Sequence, residues 1–432
     1  MTTFKIYDAM MGSGKTTHLI SEIKESHINQ KFIYIAPLLS ECHRIAGTIF
    51  DKDDIHKRPI TVEFNDTSIL YAYSENAPLK DKNFKHPYFS ENGGKAESLP
   101  VLLQNNDNIV STHQLFMNLT PEILEKAKDY ILIVDETMTV YEPYDDYKRQ
   151  ELEQMFLLEW IYIDTDTLTV RFNRNNFGNN GGNPKNTRYE TFATMCDLGQ
   201  LLYVDNKLVV WELAVDTLKC FKEVWIATYM FEGSQMSAYL KNHGLDYELI
   251  RFGNKPSSIK HLVNLNMETR INAIGNKPTA LSSSDYTKNK RFLCEIMSKN
   301  LYNYFGNKQK AKQHDRMWSS FKMSKSSIGI NRYQDDFLAF NTKATNDYAH
   351  IHNVAYLLNL YPNPMLVKAA AIKGNSIKED IFALSEMVQF IWRSAIRNGE
   401  VINLYVPSSR MRNLLIRWLN DEFEDKQTVT QI

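Results

Sequence analysis

Residues 4–36 read FKIYDAMMGSGKTTHLISEIKESHINQKFIYIA. The apolar segment Phe4–Tyr7 runs into a glycine-containing loop. Thr16 to Ile23 then places its apolar residues at helical spacing, and Phe32-Ile33-Tyr34-Ile35-Ala36 is an unbroken apolar run. A run without polar alternation suits a strand covered on both faces, which is the habit of parallel sheets. The pattern continues downstream. Leu38 to Thr48 is predicted helical, while Asn108-Ile109-Val110-Ser111, Ile131-Leu132-Ile133-Val134 and Glu223-Val224-Trp225-Ile226-Ala227-Thr228 are predicted strands. Alternating strands and helices of this kind predict an α/β fold with a doubly wound parallel sheet. Ligands of such a sheet bind outside the carboxyl ends of its strands.

The alternation is interrupted between Tyr141 and Cys220. Asn173 to Asn186 is turn chemistry, Lys148 to Trp160 is predicted helical, and two apolar runs across Asp205-Asn206 read as a hairpin. A second alternating unit starts near Tyr247. It includes His261–Leu265, Asp336–Phe340, a long helix ending near Arg397, the strand Val401–Val406 and a last helix from Arg410. The expected division is a first domain over 1–250 with an insertion at about 142–220, and a second over 251–432 with a basic insertion at about 281–335.

Composition narrows the classes. The chain has 432 residues, ample for two cores, and a formal net charge of -1, so attraction to nucleic acid must come from local patches. No apolar run reaches the length of a bilayer span, and the opening residues lack the basic-then-apolar layout of a secretory signal. A cytoplasmic protein without membrane contact is expected. The four cysteines are far apart, at neither metal nor redox spacing, and read as buried thiols.

Ala9-Met10-Met11-Gly12-Ser13-Gly14-Lys15-Thr16 matches the phosphate-loop pattern with alanine at its first glycine. In such a loop successive backbone N–H groups wrap phosphates, so glycines stand where the main chain approaches closely. Gly12, Ser13, Gly14, Lys15, Thr16 and Thr17 form the expected nucleotide cradle. Lys15 would reach the β- and γ-phosphates, and the Thr16 hydroxyl would hold Mg²⁺. The partner of such a loop is an acid at a neighbouring strand end, and Ile131 to Val134 ends in Asp135-Glu136. Asp135 is the expected Mg²⁺ ligand and Glu136 the group that orients and deprotonates water.

These residues, in this order, resemble superfamily-2 helicases and translocases. Ala9 to Thr16 has the A-x-x-G-x-G-K-T form, and Asp135-Glu136-Thr137-Met138 resembles the DExx box. Ile35 to Glu41, with Pro37, and Ser111-Thr112-His113-Gln114 are similar to the motifs that touch the nucleic-acid backbone. Ala227-Thr228 falls where a Ser-Ala-Thr motif couples hydrolysis to movement. Phe340 to Asp347, with Thr342 and Lys343, is similar to the motif shared by both ligands, although its usual Arg-Gly is absent. Gln389 to Arg397 resembles Q-x-x-G-R-x-x-R, with Trp392 in place of glycine and the second arginine one residue late. The resemblance implies two tandem RecA-like domains with parallel sheets and ATP between them, and Arg393 and Arg397 as arginine fingers beside Gln389. It also implies ATP and Mg²⁺ as cofactors and a nucleic-acid partner, DNA before RNA. The overall style is similar to phage replication or recombination helicases, which would place the protein in a host cytoplasm beside replication or recombination proteins. An adenine-reading motif would normally precede the loop, and only eight residues do so here.

Independently of the resemblance, Gln389, Arg393 and Arg397 are spaced four apart and are expected on one helical face. Lys288 to Lys325 carries ten basic residues against two acidic ones, with aromatic residues interleaved. Cations engage phosphates and rings stack on unpaired bases, so Lys310, Lys312 and Arg316 are candidate contacts. The expected function is an ATP-dependent DNA helicase or translocase. The alternatives are a nucleotide-driven remodelling protein without unwinding, and a phosphate-loop kinase of small molecules.

Overall fold

The computed structural model of the chain describes residues 2–49, 61–65, 68–71, 74, 76–87, 95–116, 123, 125–178, 181–205, 208–330, 332–342 and 347–423. In the first half, strand β1 (Thr3–Ala9) leads through the loop into helix α1 (Lys15–Glu25), and β2 (Lys31–Ala36) follows. A two-stranded antiparallel ribbon, β3 (Thr61–Asn65) with β4 (Ser68–Tyr71), precedes β5 (Phe84–Lys85), β6 (Asn108–Thr112) and β7 (Tyr130–Asp135). The insertion supplies β8 (Tyr141–Pro143), β9 (Ile161–Asp164), β10 (Thr169–Phe172), β11 (Leu201–Val204) and β12 (Leu208–Glu212). After it come β13 (Glu223–Thr228), helix α2 (Gln235–Asn242) and β14 (Tyr247–Phe252).

The main sheet runs β14-β1-β13-β7-β2-β6-β5, every pair parallel. The strands are buried as their uninterrupted apolar character requires: Ile6, Tyr34, Ile35, Ile133, Val134 and Ile226 have no exposed surface beyond traces. Register places the functional ends together. Asp8 lies opposite Thr228, Ala227 opposite Asp135, Ile35 opposite Val134, and Ala36 opposite Thr112. The insertion strands form a separate antiparallel sheet, β8-β12-β11-β10-β9, over a core that includes Leu152, Val170 and Phe192. Asn206 and Lys207, at the tip of the expected hairpin, lie outside the described residues.

The second unit holds β15 (Val263–Leu265), helix α3 (Ser283–Leu301), β16 (Arg316–Ser319), β17 (Asn353–Tyr356), helix α4 (Pro364–Ala371), helix α5 (Glu379–Ile391), β18 (Ile402–Tyr405) and helix α6 (Ser409–Trp418). Its parallel sheet is ordered β15-β18-β17-β16. The chain is thus an α/β protein with two parallel-sheet units, consistent with tandem RecA-like domains.

Four readings are corrected by this layout. The segment near Tyr247 does not open the second unit: β14 pairs with β1 at the edge of the first sheet. The basic stretch at about 281–335, expected as an insertion, contributes α3 and the edge strand β16 to the second unit's own core. Asp336–Phe340, expected as an element of the second alternating unit, forms neither helix nor strand; Phe337 makes a single bridge to Trp318. Finally, α5 stops at Ile391, so Gln389, Arg393 and Arg397 do not share one helix, and Arg397 lies on a separate 3₁₀ turn, Ala395–Asn398.

Helix α4 crosses back to the first unit. Leu366, Ala369 and Ala370 belong to the first unit's hydrophobic core, and Asn242 Nδ2 donates to the Ala370 carbonyl at 2.8 Å. Among the described residues, no helix is long and apolar enough to cross a membrane.

Candidate nucleotide site between the two units

The loop between β1 and α1 is bent by left-handed backbone at Gly14, φ 80°, where an added Cβ would meet nothing within 4 Å. Glycine is needed there for its conformation, and the open space before it leaves the α1 N-terminus accessible to an anion. The α1 amides from Lys15 onward follow directly from this turn. Lys15 Nζ folds over the loop and donates to the carbonyls of Ala9 (2.6 Å) and Met10 (3.2 Å). Burial pulls its pKa down to about 8, with the carboxylates of Asp135, Asp8 and Glu136 acting in the opposite direction.

Asp135 ends β7 directly below the loop. Its Oδ2 accepts from the Thr16 hydroxyl at 3.3 Å and from the Tyr34 hydroxyl at 2.7 Å. Burial raises the Asp135 pKa, and these two donors together with Lys15 hold it down. Glu136 follows with φ 63°, a left-handed conformation uncommon for this residue type, and its N–H donates to the Ala227 carbonyl at 3.0 Å. Backbone held in this region costs on the order of 1–3 kcal/mol and collects at functional sites. Here the turn lifts the Glu136 side chain from the sheet edge towards the second unit.

The second unit closes over the loop. Met10 lies in the hydrophobic cluster of the second unit with Leu262, Ile391 and Trp392. The Trp392 ring rests on Gly12, 3.1 Å from where a Cβ would stand. Arg393 is buried, and its guanidinium donates to the carbonyls of Phe340 (3.0 Å) and Thr342. Burial lowers its pKa, opposed first by the Glu136 carboxylate that faces it. Gln389 donates to Ser385 Oγ at 3.1 Å. Despite the break in the helix, Gln389, Arg393 and Arg397 line one cleft of about 510 Å³ with Gly12, Gly14, Lys15, Thr16, Thr17, Asp135 and Glu136.

The residues present suit a Mg²⁺-bound triphosphate. The Ser13 hydroxyl and the Trp392 indole nitrogen are buried without a hydrogen-bond partner at the loop. An ammonium and three guanidinium-bearing residues, Arg44, Arg393 and Arg397, line the cleft, and a hydroxyl and a carboxylate sit side by side at 3.3 Å. Mg²⁺ is commonly held by one or two carboxylates plus phosphate oxygens, and the Thr16–Asp135 pair offers such a partial shell.

The expected nucleic-acid residues are distributed differently. Pro37 lines the cleft itself. Thr112 ends β6, and His113 Nε2 lies 3.1 Å from the Asp135 carbonyl oxygen. Thr342 offers its carbonyl to Arg393, and Lys343 lies outside the described residues. Lys310 and Lys312 are exposed on the second unit. Arg316 is engaged elsewhere: its Nε donates to Asp336 at 2.6 Å and its guanidinium stacks on Tyr333. Of the interleaved aromatic residues, Tyr286, Tyr304, Phe305 and Trp318 are wholly buried, so they pack the core; Phe292 and Tyr302 are exposed.

Sequence reasoning missed Asp8, Tyr34 and the contact of Trp392 with Gly12. Asp8 is buried at the end of β1 and accepts from the N–H groups of Met230 (2.7 Å) and Phe231 (3.1 Å), pinning the segment after β13. Its position directly before the loop was the available signal.

The family described as "YonV C-terminal Rossmann-like domain" matches residues 257–419. Over 445 residues the chain is 33% identical to the "SPbeta prophage-derived uncharacterized protein YonV" of Bacillus subtilis (strain 168), covering 98% of this chain and 100% of that protein. Among solved structures, the "DUF1998 helicase MrfA" aligns with a TM-score of 0.37 at 7% identity over 98% of this chain and 49% of its own, a likeness too slight to carry an argument. The chain spans about half the length of that protein. On the near end-to-end relationship to its Bacillus relative, the chain belongs to the YonV family.

Proposed function

We propose that this protein is a Mg²⁺-dependent ATPase of the superfamily-2 type that couples hydrolysis to movement on nucleic acid, DNA before RNA. One observation carries the reading: a single cleft of about 510 Å³ is lined by Lys15, Thr16, Asp135 and Glu136 from one unit and by Gln389, Arg393 and Arg397 from the other. Bound Mg²⁺ would supply charge neutralisation on the phosphates, held by Thr16 and Asp135. Lys15 and the loop amides bind the β- and γ-phosphates. Glu136 orients a water and accepts its proton, and Arg393 and Arg397 stabilise charge on the transferring group. Because the cationic residues of one unit address a ligand seated on the other, hydrolysis releases a contact between units. Thr342 links this contact to the nucleic-acid side, since its carbonyl holds Arg393.

The test is hydrolysis measured with and without single-stranded DNA or RNA, beside strand displacement on a tailed duplex. Stimulation by DNA with displacement is the expected result. Hydrolysis indifferent to every nucleic acid contradicts the motor reading and favours a kinase. The second reading, a nucleotide-driven remodelling protein without unwinding, is favoured by the burial of Tyr286, Tyr304, Phe305 and Trp318, which removes them as stacking platforms. It predicts stimulation without displacement.

A further inference from the structure

Trp392 stands where the resembling motif has glycine, directly before Arg393. Its side chain is 7% exposed, yet its indole Nε1 has no hydrogen-bond partner. A buried N–H left unpaired carries a desolvation cost, so a site that retains one calls for an explanation. The ring could have been apolar: Trp392 belongs to the hydrophobic cluster that holds Met10, Leu262 and Ile391, and phenylalanine would serve packing alone. Instead, Nε1 lies 3.2 Å from the position a Cβ would take on Gly12, at the phosphate loop itself. The same residue lines the cleft with Lys15, Thr16, Arg393 and Arg397. Ser13, the next residue of the loop, has the other unpartnered buried polar atom at this place.

We propose that the Trp392 indole N–H is a hydrogen-bond donor to the terminal phosphate of a bound nucleoside triphosphate, a contact from the second unit that distinguishes triphosphate from diphosphate. The proposal rests on the nucleotide reading given above and names a residue that reading does not use. Three features support it. The donor faces the loop whose amides would wrap phosphates. It is neutral, so it adds specificity beside the charged Arg393 without further like-charge repulsion. It is also presented from the unit opposite the loop, so its bond forms only while the two units are closed over the ligand. An indole offers a donor and no acceptor, so it can meet a phosphate oxygen without competing for a proton.

Trp392→Phe keeps a ring over Gly12 and deletes the N–H. In the full chain, Mg²⁺ with a non-hydrolysable ATP analogue and Mg²⁺ with ADP are titrated separately by calorimetry. The expected result is a loss of about tenfold in affinity for the triphosphate, the scale of one hydrogen bond to a charged group, with ADP affinity within about twofold of the parent. Trp392→Leu, which removes the ring as well, provides the packing reference. Equal losses for both nucleotides in Trp392→Phe, or no loss for either, would overturn the proposal and assign the indole to packing. If the parent chain binds neither nucleotide, the nucleotide reading itself fails, and that outcome is distinct from a parent that binds and a variant that does not discriminate.

Discussion

Lys15 sits where burial works against its own charge, at a pKa of about 8 in place of the ordinary 10.5. The unfolded chain therefore binds more protons at this residue between pH 8 and 10.5. Its cost to stability is fully present below pH 8 and is relieved as pH rises towards 10.5. Under the proposed function, triphosphate binding moves the other way, because it would use the ammonium. Affinity for Mg²⁺-ATP should fall about tenfold for each pH unit above 8, whereas Lys15→Arg, which keeps its charge, should give a flat profile; calorimetric titration from pH 7 to 9.5 checks both. Asp135 depends on a donor the motif does not contain. Tyr34→Phe removes the 2.7 Å bond to Oδ2 and leaves a buried carboxylate with one donor fewer. A loss of about 1–3 kcal/mol in denaturant unfolding is expected, with Mg²⁺-dependent nucleotide binding weakened in parallel.

The strands that line the candidate site were legible because each holds an unbroken apolar run. Phe32–Ala36, Ile131–Val134 and Glu223–Thr228 all lie within β2, β7 and β13, and register brings Asp135 and Thr228 to the edge where β1 ends. What escaped the sequence was set by contacts distant in the chain. Strand β17 was passed over although Val354 to Leu358 is an unbroken apolar run of the same kind, and its place between β16 and β18 is set by pairing. The end of α5 is a clearer case. No glycine or proline follows Ile391, yet the helix stops there. The Ser394 hydroxyl donates back to the Ile391 carbonyl at 2.6 Å, and the Ala395 N–H leaves the helix for the Ile351 carbonyl at 2.9 Å. This departure aims Trp392 and Arg393 at the loop and sets Arg397 on its own turn. Ser394→Ala is expected to cost about 1 kcal/mol in thermal or denaturant unfolding and to lower turnover with the fold retained.

The two units share more than a cleft. Helix α4 leaves the second unit's sheet after β17 and buries Leu366, Ala369 and Ala370 in the first unit's core, so separation of the units would expose a helix face. Unfolding should therefore be a single transition, and Leu366→Ala should lower stability by about 2–5 kcal/mol in a denaturant titration; two well-separated transitions in the parent protein would contradict this. Movement in the proposed nucleotide cycle would then bend the chain on either side of α4 while the helix stays seated. Met10 and Trp392 press the second unit onto the phosphate loop, and Arg393 faces Glu136 across the same gap. The direct measurement is steady-state hydrolysis of Mg²⁺-ATP by Arg393→Lys and Arg393→Ala, with nucleotide affinity determined in the same preparations. A fall in kcat of about 10³-fold or more in Arg393→Ala, with ATP still bound, is expected of a cation supplied across the cleft. Unchanged kcat in that variant would contradict a triphosphate held between the two units.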